Sequence, residues 1–244
     1  MSHLDLDPKL VWLFCMTHPD DEISVAGCIH RLVNAGSEVW ISWTHDTAVR
    51  QAEARAAARR LGVPETRLFF HHAADGNVVD ELARLAPAFK AMVESVQPDR
   101  VVCGAFEQGH LDHDATNLLV NSVFQGTVLE APFYHTYLTR MPRVARFADP
   151  AGEEVIPLAP EERRVKIDLS RAYPSQRIAL NMLMADLRAR LTGDGPLADT
   201  ERLRVQTHRD FARPNLPAPL AQRVEQSERW QRWRAAVDRF LATP

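Results

Sequence analysis

Short apolar runs and helical segments alternate through the first 130 of the chain's 244 residues, an order that few folds accommodate. Val11–Met16 (VWLFCM), Glu38–Trp43 (EVWISW), Arg67–Phe70 (RLFF) and Arg100–Cys103 (RVVC) read as strands. Between and after them, helical spacing runs over Glu22–Ala35, Ala48–Leu61, Val79–Val96 and Asp112–Phe124. Gly36 and Gly62 stand where helices end, and Pro87 is expected to kink or split the third helix. A strand before each helix predicts an α/β fold, a mostly parallel sheet with helices on both faces. With 45% hydrophobic residues, the chain has enough apolar material for such a core.

The rest is less regular. Pro132, Pro142, Pro150, Pro157, Pro160 and Pro174 interrupt it, with helices expected at Ser175–Ala189 and Ala221–Leu241 and loops at Leu191–Pro196 and Arg213–Pro219. Neither an internal repeat nor a low-complexity tract is visible. Residues 1–244 therefore read as one domain: a regular α/β half, 1–130, and an irregular, partly helical part, 131–244, wrapping the same sheet. Trp230, Trp233, Val237 and Phe240 form an apolar stripe one face wide among arginines, which suits packing on the core or on a neighbouring subunit.

Composition narrows the partners. A net charge of −3 argues against a chain built to neutralise phosphate, so no nucleic acid is expected. Cys15, Cys28 and Cys103 are an odd number and suit small buried hydrophobes in a reducing compartment. No apolar stretch nears the roughly 20 residues that cross a bilayer. The first ten residues carry charge where a signal peptide is apolar. The expectation is a soluble, cytoplasmic protein acting on a small molecule, with homo-oligomerisation left open.

Two segments carry chemistry, and both follow strands. His18-Pro19-Asp20-Asp21-Glu22 packs one imidazole and three carboxylates into five residues. Such N and O donors suit a divalent cation, although taken alone a capped, acidic helix start is the plainer account of the carboxylates. It does not explain the preceding histidine. The second segment, Gly109-His110-Leu111-Asp112-His113-Asp114, leads from the fourth strand into a helix. His110 and His113 stand three apart on one face, with Asp112 placed to fix a tautomer; a surface pair with a capping Asp is the plain alternative. In parallel sheets ligands bind beyond the carboxyl ends of the strands, where both segments lie. Two histidines and a carboxylate make a three-ligand site with room for water, the form of a hydrolytic metal centre.

THPDDE after the first strand, with GHLDHDA after the fourth, resembles the PIG-L/LmbE-like family of zinc-dependent N-deacetylases. Arg50-Gln-Ala-Glu53 running into Leu61-Gly62, the Asp75-Gly76 turn and Tyr173-Pro-Ser175-Gln176 resemble further motifs of that family. The resemblance spans Val11 to Gln176 and implies a Rossmann-like fold. Carried over position by position, it implies that His18, Asp21 and His113 hold Zn²⁺. It makes Asp20 the general base and His110 the electrostatic partner or general acid, oriented by Asp112. Arg50 and Asp75 would contact substrate. Gln108 stands where some members carry a tyrosine that assists the oxyanion.

The implied reaction is removal of an N-acyl group, in the first instance acetyl, from an amino-sugar conjugate such as an N-acetylglucosaminyl compound. Fe²⁺ suits the same N/O donors as Zn²⁺. Asp112 is expected to keep His110 cationic, and either Asp20 or His110 could protonate the leaving amine. The alternatives are an amidase of another small amide, such as a thiol conjugate, and a catalytically silent sugar- or metal-binding protein. His45, Asp46, Tyr134 and His135 are weaker candidates for the pocket, and His71-His72 reads as a strand-end pair with opposed side chains.

Overall fold

A computed structural model describes residues 2–135, 143–192 and 196–242. The first half follows the alternation closely: β1 (Val11–Met16), α1 (Ala26–Ala35), β2 (Glu38–His45), α2 (Ala48–Leu61), β3 (Leu68–Ala73), α3 (Leu82–Val96), β4 (Arg100–Gly104), α4 (Leu111–Val123) and β5 (Thr127–Ala131). The second half adds β6 (Tyr134–His135), β7 (Arg143–Val144), β8 (Glu153–Pro157), α5 (Pro160–Ser170), α6 (Ile178–Thr192), β9 (Thr200–Val205), α7 (Ala218–Glu225) and α8 (Glu228–Leu241). Seven strands form one sheet in the order β3-β2-β1-β4-β5-β9-β8. The first five run parallel, and β9 and β8 join antiparallel at one edge.

Side-chain alternation on β1 divides the core. Trp12, Phe14 and Met16 pack with α1, α2 and α5, while Leu13 and Cys15 pack with α3, α4 and α8. Helices thus cover both faces, as the apolar runs of the first half predict. All three cysteines are buried thiols. Among the described residues no helix is long and apolar enough to cross a membrane.

Several boundaries differ from expectation for local reasons. The helix expected from Glu22 starts instead with a 3-10 turn, Asp21–Val25, because Asp20 takes a left-handed φ of 126°. Pro87 lies inside α3 without splitting it. The single helix expected over Ala221–Leu241 is two, since the Ser227 hydroxyl accepts from Trp230 N (3.2 Å) and starts α8 afresh. Trp230, Trp233 and Val237 are buried in the core as their spacing suggests.

The second half is fastened to the sheet by buried polar groups. Glu201 of β9 accepts from the N–H groups of Gly27 and Cys28 at the start of α1, both at 2.8 Å, and pairs with Lys166 of α5 at 2.9 Å. The positive end of the α1 dipole and the ammonium together balance a carboxylate that no water reaches.

Candidate active site

β1 and β4 are neighbours at the centre of the sheet, and the chain leaves them in opposite directions: β2 and β3 extend one side, β5 the other. Loops leaving such a switch point diverge and open a crevice. That crevice holds His18, Asp20 and Asp21 from the β1 loop and His110 and His113 from the β4 loop and α4. A cavity of about 1200 Å³ opens from it. Its walls include Phe133, Phe147, Ile178, Met182 and Gln176.

Donor atoms converge at its floor. His113 Nε2 lies 3.3 Å from His18 Nδ1 and 3.5 Å from Asp21 Oδ1, and His18 Nδ1 lies 3.7 Å from Asp21 Oδ2. Donors on one tetrahedral Zn²⁺ stand about 3.3 Å apart, given metal–ligand bonds of roughly 2.0–2.1 Å. The spacing therefore fits one ion, and three acceptors so close together are stable only around a cation or protons. Burial alone raises the Asp21 carboxyl, but His113 and His18 overcome it and hold Asp21 well below the usual range. Asp21 is further fixed by the N–H groups of Thr17 (3.1 Å) and His18 (2.8 Å). Burial pulls His18 down, yet Asp112, Asp75 and Asp21 outweigh it and bring His18 up to about 10.

Asp20 lines the cavity beside this group without joining it. Burial and the Asp21 charge raise its carboxyl well above the ordinary value, against the pull of Arg50. Its backbone is held by the Glu22 carboxylate, which accepts from Asp20 N (3.1 Å), Trp43 Nε1 (3.1 Å) and the Tyr173 hydroxyl. Glu53, three residues beyond Arg50, accepts from Ser175 N (3.0 Å) and Oγ (2.7 Å). The later Tyr-Pro-Ser-Gln segment thus clasps both the first motif and α2.

The remaining expected residues are placed as follows. Arg50 lines the cavity, but its guanidinium donates to Pro19 O (2.6 Å) and lies 3.2 Å from Asp20 Oδ2. Asp75, mostly exposed, faces His18 Nε2 at 3.4 Å and His45 Nε2 at 4.0 Å. Asp112 differs from expectation. Its carboxylate turns to the N–H groups of Gly76 (2.7 Å) and Val78 (3.2 Å) and to His18 Nε2 (3.5 Å) instead of orienting the His110 ring. Nor is His110 kept cationic. Burial and the nearby His113 and His18 bring it down to about 4, against Asp112, so the ring is neutral at pH 7. His110 Nδ1 accepts the Asp112 N–H as the helix cap (3.3 Å), which leaves its proton on Nε2.

Gln108 also sits elsewhere than expected. Its Oε1 accepts from Asn215 N (2.8 Å), away from the cavity lining. Gly109 next to it is required: a Cβ there would lie 2.2 Å from His135 Nδ1, so only glycine lets the loop pass the buried His135 ring. His45 Nδ1 donates to Ala73 O (2.8 Å), His72 pairs with Asp46 (2.8 Å), and His71 is buried against Phe89. Two arginines of α8 steady the loops from behind, Arg229 donating to Gly109 O (3.2 Å) and Arg232 to Gly76 O (3.1 Å). The helical stripe of α8 signals its packing but not this bracing.

Residues 13–124 match the family described as GlcNAc-PI de-N-acetylase, PIG-L, over the same segment that carries both motifs. No curated protein matches the chain. Among solved structures it resembles the zinc-inhibited form of the teicoplanin deacetylase Orf2, with a TM-score of 0.62 and 16% identity over 82% of this chain and 99% of that one. It also resembles N,N'-diacetylchitobiose deacetylase from Pyrococcus horikoshii (TM-score 0.53, 17% identity, 83% and 87% covered). A third likeness is to GalB, the 4-carboxy-2-hydroxymuconate hydratase from Pseudomonas putida KT2440 (TM-score 0.52, 15% identity, 82% and 98% covered). At these identities the likeness is one of fold. Two deacetylases and a hydratase share it, so the reaction is read from the residues of the site.

Proposed function

We propose that this chain is a Zn²⁺-dependent hydrolase that removes an N-acyl group, acetyl in the first instance, from an amino-sugar conjugate. The observation that carries the reading is the convergence of His18 Nδ1, His113 Nε2 and Asp21 on one point, with Asp20 beside them but outside the group. The PIG-L match over 13–124 and the two deacetylases of like fold support the same chemistry.

A Zn²⁺ held by those three side chains would polarise the amide carbonyl and bring a bound water's pKa to about 7. The chain's own residues do the rest. Asp20, with a raised pKa and a carboxylate on the cavity, accepts the proton of the attacking water. Arg50 and the Glu22 brace hold that carboxylate in place. His110, neutral and with its N–H on Nε2, donates a hydrogen bond to the developing oxyanion. The proton on Asp20 is then available to the departing amine. Asp75, exposed at the rim, is placed to accept from sugar hydroxyls. The products are a carboxylate and a free amine.

The decisive assay is acetate release from N-acetylglucosaminyl compounds, with and without a chelator, followed by Zn²⁺ readdition. Release that the chelator abolishes and zinc restores supports the proposal. Stoichiometric metal without hydrolysis of any amide would instead make the chain a binding protein.

A further inference from the structure

The His18 ring has two working sides. Nδ1 faces Asp21 and His113, whereas Nε2 points the other way, to Asp75 Oδ1 (3.4 Å) and Asp112 Oδ2 (3.5 Å). His110 closes the same space from above, its ring 5.3 Å from that of His18 and nearly perpendicular to it. Ligand atoms of His18, His110 and Asp112 lie within 4.8 Å of one another, a second group distinct from His18, Asp21 and His113. His18 is 8% exposed, and its Nε2 is buried with no hydrogen-bond partner among the described residues.

One ring N–H can serve one carboxylate, yet two face this nitrogen and a further imidazole stands over it. A dication satisfies all of them. Two imidazoles and a carboxylate form a borderline donor set that suits Zn²⁺ and disfavours Mg²⁺ or Ca²⁺, which seek oxygen. We propose that His18 Nε2, His110 and Asp112 form a second, weaker Zn²⁺ site, with Asp75 at its rim, that shares the His18 imidazole with the first. The inference rests on the reading of the first site as the metal centre.

With only the first site filled, Nε2–H donates to a carboxylate, the usual support for a ligating histidine. Filling the second site releases that proton to solvent and joins the two cations through the imidazole. His110 would ligate through Nδ1, the nitrogen its proton leaves free, and so give up the Asp112 N–H it caps, while the Asp112 carboxylate would turn from Gly76 and Val78 to the ion. Excess zinc would then inhibit hydrolysis, because a His110 ring drawn onto the second ion no longer aims its Nε2–H at the oxyanion.

The test titrates metal-free full-length protein with Zn²⁺ by calorimetry and by competition with a chromophoric chelator. The expected result is two equivalents for the natural chain and one for His110→Ala and for Asp112→Asn, both of which keep the tight equivalent. Cu²⁺ electron paramagnetic resonance adds a readout that needs no activity: coupling between ions appears only at the second equivalent. One tight equivalent and no second would overturn this inference alone. A second equivalent that survives in both variants would overturn it as well. A chain with no tight equivalent would sink the proposed function and this site together.

Discussion

The Tyr173 hydroxyl donates a hydrogen bond to the buried Glu22 carboxylate across 151 positions of sequence. Glu22 in turn accepts from Asp20 N, and Asp20 sits at a φ of 126° that a non-glycine residue holds only when its surroundings insist. The later half of the chain therefore sets the geometry of the proposed base. Tyr173→Phe keeps the ring and removes the donor. It is expected to lower kcat by about tenfold or more, since small misplacements of a catalytic group are costly, while KM and zinc content stay constant. Thermal stability should fall by about 1–3 kcal/mol for the unsatisfied carboxylate. A loss of stability with kcat intact would reduce Tyr173 to a packing role.

Asp20→Asn tests the base directly. The amide preserves shape and the backbone contact to Glu22 but accepts no proton. Turnover should drop by roughly 10²–10⁴, the usual contribution of a positioned base, with zinc still bound at one tight equivalent. Metal analysis and acetate release are measured on the same preparation. Full activity in the zinc-loaded variant would remove Asp20 from this role.

His113→Ala should act on the metal instead. Its Nε2 is one of three converging donors, and two remaining ligands make a poor tetrahedral site. Equilibrium dialysis is expected to show loss of the tight equivalent. The variant's fold is checked by circular dichroism, since the ring also packs edge-on to Phe133. Tight zinc retained at unit stoichiometry would contradict the assignment.

What the sequence reveals of this site follows from the range of each interaction. Strand and helix periodicity are local, so β1 to α4 are legible almost residue by residue, and the strand ends place His18 and His113 at one crevice. The contacts of Asp112 are not local. Whether it meets His110, two residues away, or Gly76 and Val78, more than thirty away, depends on how the Asp75-Gly76 turn approaches α4. Spacing favours the near partner, but the fold chooses the distant one because the buried Val78 N–H and the neighbouring Gly76 N–H need an acceptor there. The His110 expectation failed for a related reason: a nearby carboxylate is visible in sequence, whereas the burial that overrides it is not. β8, β9 and α5 escape this reading because two short strands rich in charged residues and a short charged helix lack a strong apolar period. Tyr173 was visible only through its motif, and its partner Glu22 only as one more acid in a helix start.

His71 gives a pH dependence that is independent of the metal. Its ring is buried against Phe89, with centroids 4.4 Å apart, and its Nε2 has no hydrogen-bond partner among the described residues. Burial lowers its pKa from 6.5 to about 4. The folded state therefore refuses a proton that the unfolded chain accepts. Above the unfolded value His71 has no effect on stability; as pH falls from 6.5 toward about 4 the unfolded state gains, by up to about 3 kcal/mol at the lower end. His71→Phe keeps an aromatic ring on Phe89 and has nothing to protonate. Thermal melts at about pH 7.5 and about pH 4.5 should show the natural protein losing more stability on acidification than the variant. Other buried groups titrate in both proteins alike, so the difference between the two falls isolates His71. Equal falls would mean that the folded protein admits the proton, through water or a partner reaching Nε2.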